Sequence, residues 1–195
     1  SATGPEAPAL DVMLLAAVAA FLAEWGDKTQ LIVATLAAGT RRPGQVLIGL
    51  FLAALASSVV AALAGDWIAG MVTIRAMTLL TALALLFAAA SGVLRKSEAA
   101  PIQARIPLLS AFILCLAAEM GDRTQFLTFA LAGRFDGAGF AAAGATLGIV
   151  AACVPAAALA ERLAATVRVR IIRWAVSGLF LLTGFWVAVS ALRLA

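Results

Sequence analysis

The sequence contains no histidine. That absence excludes imidazole acid/base chemistry, histidine metal ligation and any Ser/His or Cys/His nucleophilic pair, and it leaves carboxylates as the proton carriers. Cysteine is nearly absent as well. Cys115 and Cys153 each lie inside an apolar run with no paired spacing, so neither a disulfide framework nor a zinc knuckle is supported and both read as small packing hydrophobes. Charge is scarce: 12% of the 195 residues are charged, 64% are hydrophobic, and the mean hydropathy is +1.07. A water-soluble domain cannot hide so much apolar surface. The net charge of +4 does not point to nucleic acid, because Lys and Arg stand at the ends of apolar runs and form no patch with interleaved aromatics. With no nucleophile–base pair and no Asp-rich metal–phosphate motif, an enzyme is not expected.

What is present is a series of apolar runs near the ~20 helical residues that cross a hydrocarbon core. Six segments emerge, over residues 10–38, 44–64, 71–94, 107–132, 137–160 and 171–193. The expected fold is an all-α integral membrane protein of six transmembrane helices. Residues 1–9 carry Gly and Pro and no initiating Met, and are read as a flexible N-terminus or a cloning remnant. If helices alternate across the bilayer, the connections after the first, third and fifth carry nine basic residues (Arg41, Arg42, Arg95, Lys96, Arg105, Arg162, Arg168, Arg170 and Arg173), and the other side carries three (Arg75, Arg134 and Arg193). The positive-inside rule then places both termini outside the cytoplasm of a bacterial plasma membrane. Trp67 and Trp174 read as interface anchors, Asp66 and Glu161 as solvated helix ends, and Pro155 as a candidate kink.

The chain repeats itself. Ala23-Glu24-Trp25-Gly26-Asp27-Lys28-Thr29-Gln30 recurs as Ala118-Glu119-Met120-Gly121-Asp122-Arg123-Thr124-Gln125, at an offset of 95 positions that also pairs Gly44 with Gly139, Gly49 with Gly144 and Asp66 with Glu161. The expected organisation is a first repeat over 10–98, a cytoplasmic linker over 99–106 and a second repeat over 107–195. Three helices per repeat is an odd number, so the second enters the membrane inverted, the arrangement of many secondary transporters with midplane sites. Small residues four apart, Gly49 with Ala53 and Gly144 with Gly148, mark close helix approach.

The two motifs hold the chemistry. If each segment is one helix, spacing of three puts Glu24 with Asp27, and Glu119 with Asp122, on one face. Charged groups at the bilayer centre cost at least ~2.5–3.5 kcal/mol each on insertion scales. Six of them in two spans therefore call for mutual compensation or a wet site. Four carboxylates against Lys28 and Arg123 leave two negative charges in excess, which one divalent cation neutralises. The candidate metal ligands are Glu24, Asp27, Glu119 and Asp122, all hard oxygens that suit Mn²⁺, Ca²⁺ or Mg²⁺ better than zinc or copper. Lys28 and Arg123 would limit repulsion in the empty site. Thr29, Gln30, Thr124 and Gln125 stand as supporting groups that alternatively make only interhelical hydrogen bonds. Gly26 and Gly121 would let the motif helices cross closely or free a carbonyl. Ser57 and Ser58 are at the margin of the set, backbone bonding being the favoured reading. Cys115, one turn before Glu119, is the only soft atom on that face. Protons and metal compete for the same oxygens, which is a direct route to cation/proton exchange without a resident cofactor.

At these residues the chain resembles a known family. The doubled Glu-x-Gly-Asp-Lys/Arg-Thr motif, on the first and fourth of six apolar segments, is similar to that of the small Mn²⁺/Ca²⁺ cation/proton exchangers, which include bacterial manganese exporters and the Golgi transporters of yeast and human. The likeness covers nearly the whole chain with both motifs intact. It implies transport of manganese or calcium, export in direction, with the two acidic motifs as the cation site; protons and the lipid bilayer are the other partners. The short basic stretch from Arg95 to Arg105 departs from relatives with a long acidic central loop. Two other readings remain: an exporter of amino acids or other small organic cations, and a structural membrane protein whose motif is an intramembrane ion-pair network.

Overall fold

The computed structural model describes residues 9–94, 104–135, 137–159 and 169–193. The described residues form helices and no strand: α1 Ala9–Glu24, α2 Lys28–Thr40, α3 Pro43–Ala69, α4 Ile74–Leu94, α5 Pro107–Glu119, α6 Arg123–Phe135, α7 Ala138–Leu159 and α8 Val169–Arg193. Pro43 and Pro107 open α3 and α5, where a missing N–H and a fixed φ cost nothing. Pro155 does not end α7, which runs on through it. The expectations for the N-terminal residues 1–8, for Arg95 to Pro101 of the basic connection, for Asp136 and for Glu161 lie outside the described residues.

Four helices, α3, α4, α7 and α8, are long and apolar enough to cross a membrane, and the bent pair α1–α2 makes a fifth candidate. α5 is apolar but has only 13 residues, about 20 Å at 1.5 Å per residue, short of a ~30 Å core. The outward surface is apolar to match, with Leu63, Leu83, Leu182, Phe185 and Trp186 all exposed. The chain is thus a multi-pass, all-helical membrane protein.

One expectation needs correction. Segments 10–38 and 107–132 are not single helices: each breaks at its motif, and α1 meets α2 at 70°. The cause is local. Gly26 and Gly121 sit at φ 73° and 71°, the left-handed region that glycine enters without the Cβ penalty other residues pay. Glu24 therefore closes α1 while Asp27 is the N-cap of α2, and the shared helix face expected from their spacing of three does not exist. The two broken motif segments meet each other as α1 with α6 and α2 with α5. α1 packs along α7, and α5 along α3; α4 packs along α8.

Small residues set those contacts. A Cβ at Gly49 would strike the Leu108 carbonyl and Ala111 of α5, and a Cβ at Gly144 would strike the Met13 carbonyl and Ala16 of α1. Met13 and Leu108, like Ala16 and Ala111, are 95 positions apart, so both interfaces are built to one plan. Close backbone approach replaces the hydrophobic drive that is missing between helices in lipid. Cys115 and Cys153 are buried in the same apolar cluster as Ala20, Val33, Leu50 and Ile149, as packing residues. Asp66, Trp67 and Trp174 are exposed, as expected for groups at helix ends.

Candidate metal centre

The two breaks bring the motifs together. Interrupting a helix leaves N–H and C=O groups without intrahelical partners, and in an apolar medium each must be satisfied. The structure does this with the glutamines: the Gly26 N–H donates to Gln30 Oε1 at 3.0 Å, and the Gly121 N–H donates to Gln125 Oε1 at 2.7 Å. The Asp27 and Asp122 N–H groups donate to the carbonyls of Glu24 and Glu119, both at 3.1 Å. Each motif is thus a tight turn fastened by its own glutamine, with Glu ahead of it and Asp, Lys or Arg, and Thr behind it.

The threonine and the cation of each motif both reach the other repeat. The Thr29 hydroxyl donates to Glu119 Oε1 at 2.8 Å, and the Thr124 hydroxyl donates to Glu24 Oε1 at 2.6 Å. Lys28 Nζ lies 3.7 Å from Asp122 Oδ1, and Arg123 Nη2 lies 3.9 Å from Asp27 Oδ1. The interhelical bonding expected of the threonines is present, and its acceptors are the motif carboxylates themselves. Gln30 adds a second bond, donating from Nε2 to the Ala152 carbonyl of α7 at 2.7 Å, whereas Gln125 Nε2 turns to Met120 Sδ at 3.7 Å.

The centre is buried and rich in carboxylates. Glu24, Asp27, Glu119 and Asp122 are each at most 3% exposed. Carboxylate oxygens of Glu24, Asp27 and Asp122 approach within 4.8 Å of one another, the spacing of groups able to share one ion. Glu119 is not one of those three; its Oε1 accepts from Thr29, two positions after Asp27. Glu24 Oε2, Asp27 Oδ2 and Glu119 Oε2 are buried with no hydrogen-bond partner. Buried carboxylate oxygens left bare are costly, and a hard divalent cation is the chemical species that satisfies several at once. Ser57 and Ser58 are buried on α3. Sequence reasoning missed the use of Gln30 and Gln125 as clasps of the breaks. The signal was available: a Gln four residues after a Gly, twice, in a membrane segment.

Comparison with known proteins gives a consistent picture. The family model described as "Divalent cation/proton antiporter GDT1" matches residues 12–100 and again residues 107–194, one match to each half. A protein of Vibrio cholerae serotype O1 named "Putative manganese exporter" is 30% identical over 181 residues, covering 91% of this chain and 90% of its own length. No solved structure matches.

Proposed function

This chain belongs to the divalent cation/proton antiporter family GDT1, and from that premise we propose that it exports Mn²⁺, with Ca²⁺ as a second substrate, in exchange for protons through the centre between its two breaks. The observation that carries the reading is the convergence of Glu24, Asp27 and Asp122 on one buried point, with Glu119 buried as well and bonded to Thr29 of the first motif. Two motifs 90 or more positions apart have no packing reason to aim four carboxylates at one another. In lipid such a cluster is stable only with a cation or with protons in place. Metal and protons then exclude each other from the same oxygens, and that exclusion is the coupling. Glu24, Asp27, Glu119 and Asp122 are the ligands; Lys28 and Arg123 balance charge when the cation leaves; Thr29 and Thr124 hold the glutamates; Gly26, Gly121, Gln30 and Gln125 shape the breaks.

The architecture behind this reading is six spans in two inverted repeats. α1–α2 and α5–α6 each form one broken span, and both chain termini face away from the cytoplasm of the plasma membrane. The equal offset of 95 between corresponding helix starts, Lys28 with Arg123, Pro43 with Ala138 and Ile74 with Val169, supports it. Broken helices that point freed carbonyls and N-termini at a midplane site are a recurring way for secondary transporters to bind ions.

The test is Mn²⁺ and Ca²⁺ flux into proteoliposomes under an imposed pH gradient. Gradient-driven Mn²⁺ flux in the wild type that Glu24→Gln and Glu119→Gln each abolish is the expected result. Normal flux in both variants would remove the metal site. Transport of amino acids that is indifferent to Mn²⁺ would favour the organic-cation reading, and no transport at all would favour the ion-pair scaffold.

A further inference from the structure

The two halves share a plan, but their cations are not equivalent. Arg123 is 3% exposed, whereas the Lys28 side chain is 37% exposed. The difference begins with helix packing. α6, which starts at Arg123, lies against α4, while the corresponding pair, α2 and α8, makes no comparable contact among the described residues. At the α4 contact stands Gly92. A Cβ there would come within 3.1 Å of Arg123 Nη1, would strike the Ser177 hydroxyl of α8 outright, and would sit at an ordinary 3.5 Å from Ser177 Cβ. The missing side chain of Gly92 is therefore the space that the guanidinium and Ser177 occupy.

Ser177 is buried, and its Oγ has no hydrogen-bond partner; neither has Arg123 Nε. The guanidinium is thus held by shape on one side and by Asp27 on the other. The repeat supplies no equivalent for Lys28: the positions 95 away from Gly92 and Ser177 are Val187 and Ala82. A planar guanidinium needs a fitted slot, and a compact ammonium does not.

We propose that Gly92 and Ser177 form a notch that positions Arg123 as the fixed countercharge of the centre, leaving Lys28 as the movable one. Asp27–Arg123 is then the standing pair that orients Asp27 for the cation, and Lys28–Asp122 is the pair that opens when a cation enters. Gly92 and Ser177 act through Arg123 and are positioning residues; neither touches the ion. This rests on the cation site proposed above, and its test has one arm that does not depend on transport.

In the first arm, an amine-acylating reagent is applied to the protein in lipid vesicles and read by peptide mass spectrometry; Lys28 and Lys96 are the only lysines. Lys28 labels, and the amine introduced by Arg123→Lys labels at least about tenfold more slowly. Equal rates would overturn the fixed-and-movable assignment, whether or not the protein moves Mn²⁺. In the second arm, Mn²⁺ flux is compared between Ser177→Ala and Ser177→Ala/Gly92→Ala, a pair in which the hydroxyl collision is removed and only the approach to Nη1 remains. Adding Gly92→Ala raises the Mn²⁺ KM by roughly fivefold with little change in maximal rate, and the increment disappears when Arg123→Lys is present in both. An increment that persists with Arg123→Lys would mean that Gly92 acts through α4–α8 packing. No increment would mean there is no notch. A wild type without Mn²⁺ flux removes the cation-site reading instead, with the labelling contrast still decided.

Discussion

Thr29 and Thr124 do one job from opposite halves. Each hydroxyl spends its proton on the glutamate of the other repeat, fixing one oxygen and leaving the second bare. A hydrogen bond to a charged group contributes about 1.5–3 kcal/mol, and a valine keeps the volume while losing the bond. Thr29→Val and Thr124→Val are therefore expected to lower Mn²⁺ transport efficiency by about tenfold each, at roughly 1.4 kcal/mol per factor of ten, measured as initial flux in proteoliposomes. Serine at either position should recover most of it. The residue types at the centre were legible in the sequence because acids, cations and threonines have no bland reason to sit in two apolar runs. Their pairings were not. Spacing alone suggests that Glu24 and Lys28, four apart, are neighbours on one helix, whereas a left-handed glycine between them turns Lys28 toward Asp122. Which partner a side chain finds depends on backbone direction at Gly26 and Gly121, and a sequence records a glycine there without recording its φ.

At the scale of the element, the break is the structural unit. Its two copies are clasped alike at the glycine N–H and differ at the far end of the glutamine. Gln30 reaches the Ala152 carbonyl on α7, and Gln125 reaches a methionine sulfur. Replacing Gln30 by leucine strips the Gly26 N–H of its acceptor and also unfastens α2 from α7. The same change at Gln125 costs only the local clasp, at a turn where Gly121 is exposed. Gln30→Leu should thus destabilise the protein more than Gln125→Leu, by about 1–2 kcal/mol for the additional bond, read from thermal unfolding in detergent. Equal losses would mean that the bond to α7 contributes nothing. Apolar runs announced the long helices α3, α4, α7 and α8 within a few residues of their observed ends, since length and hydropathy decide those. They could not announce α1–α2 and α5–α6, because a run of apolar residues looks the same whether its helix is whole or broken. The small-residue spacing of Gly49 and Gly144 was informative for the complementary reason: close approach demands the absence of a side chain, and absence is visible in a sequence.

For the whole molecule, the repeat of 95 positions was legible as a pattern, and the structure adds what each copy does with it. The starts of α6, α7 and α8 fall 95 positions after those of α2, α3 and α4, yet the halves are not packed as two separate bodies: α1 lies along α7, and α5 along α3. Each motif is joined by hydrogen bond and ion pair to the motif of the other half. Composition had already shown that the chain belongs in a bilayer, because so apolar a surface has no other stable solvent. It could not show this exchange of partners, which depends on which faces the breaks leave open.

The crossed threonine–glutamate bonds have a consequence for how such a protein can be divided. Each half carries an intact copy of the motif and lacks the partner that finishes it, so on the proposed function either half alone would be an incomplete receptor for a cation. Cut between residues 98 and 99, the gene would make two polypeptides, and each should be inert when expressed by itself. Made together, they should recover Mn²⁺ flux, because the surfaces that join them, Gly49 on Leu108 and Gly144 on Met13, lie between the fragments and not within them. Two copies of the first fragment should not substitute, since that pairing would supply Gly92 without Ser177, with Ala82 in its place, and Lys28 where Arg123 stands. Complementation in cells sensitive to manganese would read the result directly, and an active single fragment would show that one copy of the motif suffices.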